Sequence, residues 1–168
     1  MTVVQPGEAP LLETAAPIAI LCRGSWTDGH VAVMEQEVSP GSLSAAHTHT
    51  EETQGAYVLE GEITFWTEGE QTTLGAGGFS LRPAGTLHSV WNASDKPARM
   101  IEISTPGDHF EAFFTEFDAM LRRGETDAKD IAALASRYGT EFDMKLTEEL
   151  CQANGVSTEG SGYAPKRK

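Results

Sequence analysis

Gly41-Ser42-Leu43-Ser44-Ala45-Ala46-His47-Thr48-His49-Thr50-Glu51-Glu52-Thr53-Gln54-Gly55-Ala56-Tyr57-Val58-Leu59-Glu60-Gly61 is the stretch on which the reading of this chain turns. Its first half has strand character, and in a strand residues i and i+2 point to the same face. His47 and His49 therefore project side by side into one space. Gln54, five residues on, brings a side-chain carbonyl oxygen. A third histidine, His88, stands in Pro83-Ala84-Gly85-Thr86-Leu87-His88-Ser89-Val90-Trp91-Asn92. Imidazoles from separate strands that meet in one pocket suit a borderline transition metal.

The spacing of these residues resembles the two motifs of the cupins. The first motif is Gly, five residues, His-x-His, four residues, Glu, six residues, Gly; Gly41, His47, His49 and Gly61 fall in place, and Gln54 stands where Glu is usual. The second is Gly, five residues, Pro-x-Gly, two residues, His, three residues, Asn; Gly77, Pro83, Gly85, His88 and Asn92 match it without a gap. The resemblance covers residues 30 to 104 and implies a mainly β fold, the cupin double-stranded β-helix or jelly-roll barrel. It also implies a metal set of His47, His49, Gln54 and His88 holding a divalent transition metal (Fe, Ni, Mn, Co, Cu or Zn). Gln54 is in addition the candidate catalytic side chain, because the glutamate it replaces can both ligate and accept a proton, whereas an amide can only ligate or hydrogen-bond. The same histidines would also fit a barrel that keeps them as hydrogen-bonded interior groups with no metal.

Outward from the motifs, short alternating runs bounded by Gly and Pro predict further strands at Pro17–Arg23, His30–Val38, Leu43–His49, Gln54–Glu60, Glu62–Thr67, Gln71–Leu74, Phe79–Arg82, Thr86–Trp91 and Ala98–Ser104. Inward parity with the ligands predicts a mostly apolar cavity lined by Ala56, Val58 and Val90. After Thr105-Pro106-Gly107 the period changes. Phe110, Phe113, Phe114, Phe117, Met120 and Leu121 form one stripe at helical spacing, with Asp108 and Glu111 placed as a capping box and Gly124 as the stop. Further helices are expected at Ala128–Tyr138 and Lys145–Ala153. The domain plan is thus an N-terminal arm over 1–16, a barrel over 17–105, helices over 108–153 packed on the barrel, and a disordered tail over 154–168. The Phe-Phe helix and the run Ala133-Leu134-Ala135-Ser136-Arg137-Tyr138-Gly139 resemble the C-terminal part of bacterial quercetinase-like cupins, which extends the likeness to about residue 142.

Composition bounds the partners. The net charge is -13, and three of the 12 basic residues are Lys166, Arg167 and Lys168 at the end of the chain. Such a surface repels phosphate backbones and anionic lipid, which argues against nucleic acid and membrane partners. No run approaches the ~18 apolar residues of a membrane span. The N-terminus lacks the basic start and apolar core of a signal peptide, so a cytoplasmic location is expected. Cys22 and Cys151 are too few and too far apart for a disulfide framework and read as free, buried thiols. His30 and His109 fall outside the motifs, and Glu51 and Glu52 read as a solvated loop pair.

The function implied by the resemblance is that of a metal-dependent enzyme acting on a small aromatic or enolisable, oxygen-bearing molecule, with a quercetinase-like dioxygenase as the leading form. Two others stay open. Cupins with a His-His-Gln-His set include non-oxidative enzymes that linearise unsaturated uronates, so a metal-assisted isomerase, lyase or cyclase is one. A non-catalytic ligand-binding cupin is the other. A homodimer is expected by resemblance alone.

Overall fold

The computed structural model describes residues 2–161. Nine strands alternate with tight turns until residue 105, and three helices with one further short strand make up the C-terminal third. In chain order the elements are β1 (Ile18–Cys22), β2 (Ala32–Val38), β3 (Leu43–His49), β4 (Thr53–Glu60), β5 (Glu62–Thr67), β6 (Glu70–Gly75), β7 (Phe79–Arg82), β8 (His88–Trp91), β9 (Ala98–Thr105), α1 (Asp108–Arg122), α2 (Ala128–Arg137), β10 (Thr140–Phe142) and α3 (Met144–Asn154). They form two antiparallel five-stranded sheets, ordered β1-β2-β9-β4-β7 and β10-β3-β8-β5-β6. This is the mainly β cupin barrel with C-terminal helices that the resemblance implied.

Alternation sets the inside of the barrel. In β2, Ala32, Met34, Gln36 and Val38 are buried and their neighbours are not; in β9, Ala98, Met100, Glu102 and Ser104 are buried in the same way. Val38, Ala56, Val58, Ile63, Phe65, Val90, Ala98 and Met100 make one apolar layer. The aromatic stripe of α1 builds a second: Phe110, Phe113, Phe114 and Phe117 pack on Ile18, Ile20, Ala32 and Met34, with Leu134 and Ala135 of α2 alongside. Because Ala32 and Met34 share the inward face of β2, the helix covers the barrel on that side. The N-terminal arm adds Leu12 to this layer, and the Glu13 N–H donates to Asp118 Oδ1 at 2.6 Å.

Some local expectations shift. Gly107, not Asp108, precedes the first helical residue of α1, and no side chain caps it. Glu111 turns away to accept from the Ser25 N–H at 2.8 Å and Arg23 Nη1 at 3.0 Å, so the capping box does not form and the carboxylate joins the helix to the turn before β2. Residues 154–161 do not behave as a loose tail. Asn154 ends α3, Val156 is buried, and the Leu43 N–H donates to Ser157 O at 2.7 Å. The remaining part of the expected tail, 162–168, lies outside the described residues. Cys22 and Cys151 are free but only partly buried. Among the described residues no helix is long and apolar enough to cross a membrane.

Strand β10 was not foreseen. It adds to the edge of β3, pairing Thr140 with His49 and Phe142 with His47. Gly139, at φ +73°, turns the chain out of α2 into that strand, and its carbonyl accepts the Thr50 N–H at 2.8 Å.

Phe117 is fully buried at the centre of the helix-on-sheet layer. Phe117→Ala is expected to cost about 3–5 kcal/mol, read as a lower urea midpoint at unchanged m-value. A loss below about 1 kcal/mol would mean that the α1 face does not carry this packing.

Candidate metal centre

Three histidines converge inside the barrel. His47 and His49 leave β3 on one face, and His88 of β8 is the direct antiparallel partner of His47. The ring centroids are 4.8 Å apart for His47 and His49, 4.3 Å for His47 and His88, and 5.5 Å for His49 and His88. All three residues are buried, and their ligand atoms lie within 4.8 Å of one another. Imidazole nitrogens that share one ion at about 2.0–2.1 Å stand no more than about 4.2 Å apart, so a bound ion would draw the widest pair slightly together.

The backbone decides which nitrogen faces inward. His47 Nδ1 lies 2.6 Å from Ala45 O, and His88 Nδ1 lies 2.9 Å from Thr86 O. A carbonyl oxygen only accepts, so each Nδ1 carries the proton and each Nε2 keeps its lone pair. His49 Nδ1 lies 3.0 Å from Thr140 Oγ1 and 3.5 Å from Glu52 Oε2. The Nε2 atoms of His49 and His88 are buried with no hydrogen-bond partner among the described residues. Orphaned lone pairs of this kind are what a buried metal site presents. The turn that delivers His88 is pinned to the same strand, because the Gly85 N–H, at a residue with φ +80°, donates to His49 O at 2.7 Å.

Burial keeps the rings neutral. Desolvation lowers His47 to about 4 and His49 to about 2, and drives His88 down as well; the charge of Arg82 pushes all three in the same direction. Gln54 is buried on β4, lines the same cavity as His47, and interacts with both His49 and Glu52. The cavity is bounded by Met34, Gln36, Ser44, His47, Gln54, Arg82, Val90, Met100 and Glu102, and about 10 Å³ of it is open to the centre of a water molecule. That is room for about one water.

Two expectations are corrected here. Glu51 is exposed, but Glu52 is buried, and Ser104 Oγ donates to its Oε2 at 3.0 Å. Desolvation pushes Glu52 up to about 7, so a carboxyl that can exchange a proton stands beside His49 after all. The cavity lining also differs in its residues, since polar side chains share the wall with Met34, Val90 and Met100. Val90 lines it, but Ala56 and Val58 sit in the apolar layer, while Arg82 and Glu102 meet as a buried ion pair. Inward parity on β9 could have found Glu102, and Arg82 is the strand residue just before Pro83; Thr140 had no local signal. His30 is exposed before β2, and His109 lies against Tyr138 at a ring distance of 6.3 Å, apart from the cluster.

Residues 34–104 match the family model of the cupin domain. The chain carries a cupin domain. The quercetin 2,3-dioxygenase of Bacillus subtilis (strain 168) is 34% identical over 113 residues, which is 67% of this chain and 33% of that enzyme. The chain therefore spans about a third of the length of the curated relative it matches. Among solved structures, a predicted oxalate decarboxylase of Thermotoga maritima superposes with a TM-score of 0.57 at 20% identity, over 62% of this chain and 98% of that one. The polyketide cyclase RemF of Streptomyces resistomycificus superposes at 0.55 with 22% identity, over 63% and 80%. These two likenesses concern the cupin fold. The three-histidine cluster is a group that could hold a metal ion in that fold.

The neutral rings make acid stability a direct test of the buried cluster. A free imidazole titrates near 6.5, so between pH 6.5 and 4 the unfolded chain takes up protons that folded His47 and His49 refuse. Their contribution is fully present above pH 6.5 and is lost as pH falls, by up to about 1.4 kcal/mol per pH unit for each ring. Glu52 opposes this over pH 4.5 to 7, because there its folded form binds the extra proton. Metal-free His49→Gln should therefore lose less stability than the wild type between pH 6.5 and 4.5, by about one ring's share, in urea titrations. Equal losses would contradict a neutral buried His49.

Proposed function

We propose that this cupin is a metal-dependent enzyme acting on a small, enolisable, oxygen-bearing molecule, with dioxygenase chemistry as its leading form. The observation that carries the reading is the convergence of three neutral imidazoles whose Nδ1 atoms are tied down and whose Nε2 atoms share one buried space. The Bacillus relative supports the oxidative form, because its likeness, over 113 residues, is not confined to the 34–104 cupin match.

His47, His49 and His88 would hold the ion, with Gln54 as the fourth donor through its amide oxygen. When bound, a divalent transition metal such as Fe, Ni, Mn, Co, Cu or Zn supplies Lewis acidity and open coordination positions. The chain's own residues do the rest. The barrel walls bury the rings, and the small room beside them suits an oxygen-bearing edge of a substrate. Gln54 cannot take a proton, whereas Glu52, one contact away, can hold or release one near neutral pH.

A second reading is favoured by Gln54. A neutral fourth ligand leaves more positive charge at the centre than a carboxylate would, which suits stabilising an enolate without oxidation. This form is an isomerase, lyase or cyclase. Retention of a ligand without turnover would instead indicate a binding cupin. A homodimer is the proposed assembly, supported by the exposed Tyr57, Phe79, Leu81 and Ile103, which line up across β4, β7 and β9 on the outer face of one sheet.

Oxygen uptake separates these readings. Protein loaded in turn with iron, nickel, cobalt, manganese and copper is expected to consume oxygen with a flavonol, a catechol or an enolisable diketone, and His88→Ala should return uptake to the rate of the metal alone. Conversion of the substrate under anaerobic conditions would favour the non-oxidative form. No uptake with any of these metals removes the dioxygenase reading.

A further inference from the structure

The most expensive feature inside this barrel lies outside the histidine cluster. Arg82 and Glu102 are 2% and 4% exposed at the side chain, and Arg82 Nη2 donates to Glu102 Oε1. A buried ion pair contributes little to stability compared with apolar residues of equal volume. The neighbouring interior layer follows the cheaper solution, with Val38, Ala56, Val58, Ile63, Val90 and Met100. The pair is placed only where the barrel opens onto His47 and Gln54, whose side chains bound the same cavity.

The guanidinium is held, yet not used up. One edge meets Glu102, and its plane lies over the Phe65 ring at 5.6 Å. Its Nε–H is buried and has no hydrogen-bond partner among the described residues. A buried donor without an acceptor is costly, and the void beside it has room for one oxygen atom. Gln54 lies directly opposite Arg82 in the β4–β7 ladder, so both side chains enter from one row of the sheet. The positive charge of Arg82 also reaches His47, His49 and His88, all of which it disfavours as cations.

We infer that Arg82, fixed by Glu102 and Phe65, is an anion subsite that binds a carboxylate or enolate oxygen of the ligand through its Nε–H, beside the three histidines. This deepens the metal-centred reading and rests on it only for the second anchor. The ligand class is a small anion with two neighbouring oxygen donors, one for the metal and one for Arg82. A bulky polyanion is disfavoured by the void size and by the -13 charge of the chain. Arg82 is the choice for such a contact because its planar donors stay charged and aligned when buried.

The test uses two probes on cobalt-loaded protein, formate as a small anion and imidazole as a neutral metal ligand, each titrated through the visible cobalt spectrum. The variant Arg82→Met/Glu102→Leu removes the pair without leaving a lone buried charge. Formate binding should weaken by roughly tenfold or more while imidazole changes by less than about twofold. Arg82→Lys, which keeps a charge on Glu102 but lacks the Nε–H donor, gives the same ordering if the double variant does not fold. Unchanged formate affinity, or equal weakening for both probes, overturns the subsite. If wild-type protein takes up no cobalt, the metal reading fails by itself. The subsite is then judged on metal-free protein by the formate-induced rise in Tm, and equal rises in wild type and variant overturn it.

Discussion

Three imidazoles share one buried space, and the barrel around them is arranged to keep them uncharged. Two are fixed by carbonyls of their own strand or of the turn before it, Ala45 for His47 and Thr86 for His88, and the third by Thr140 from β10. With the outer nitrogens occupied, the Nε2 atoms of His49 and His88 stand buried beside the His47 ring with no hydrogen-bond partner among the described residues. Polar atoms buried in that way are costly unless something joins them. A cation bound by the Nε2 atoms would remove the cost, and the strands on either side are held in a register that brings those atoms together.

The supporting shell is built from distant pieces of chain. α1 covers the barrel with its phenylalanine face, α2 leads through Gly139 into β10, and β10 closes the edge of the strand that carries His47 and His49. The C-terminal third is therefore part of the site's scaffold. Charge follows the same economy. The surface is strongly acidic, while the interior holds one guanidinium balanced by Glu102 and a carboxyl, Glu52, that burial leaves close to neutral pH in its titration.

Much of this was legible in the sequence. The glycines and histidines of the two motifs stand at the spacings of cupins, and the resemblance implied the barrel that the strands form. The period-two alternation of β2 and β9, and the phenylalanine stripe of α1, read directly as inward faces. What could not be read depends on contacts across long sequence separations. Three residues of β10 carry no periodicity, and their place beside β3 comes from the helix pair that precedes them. Glu52 looks like a loop residue next to Glu51, and its burial follows from Ser104 and His49 closing over it. Arg82 and Glu102 sit on different strands, and neither announces the other. The capping box at Asp108 failed for a similar reason, since a tertiary partner, Arg23, competed for Glu111.

The content of bound transition metal per chain, measured by plasma mass spectrometry on protein purified without added chelator, tests the central claim most directly. The account predicts a ratio near one for the wild type and near zero for folded variants lacking any one of His47, His49 or His88. A folded wild-type chain that carries no metal and takes none up from iron, nickel, manganese, cobalt, copper or zinc would contradict it.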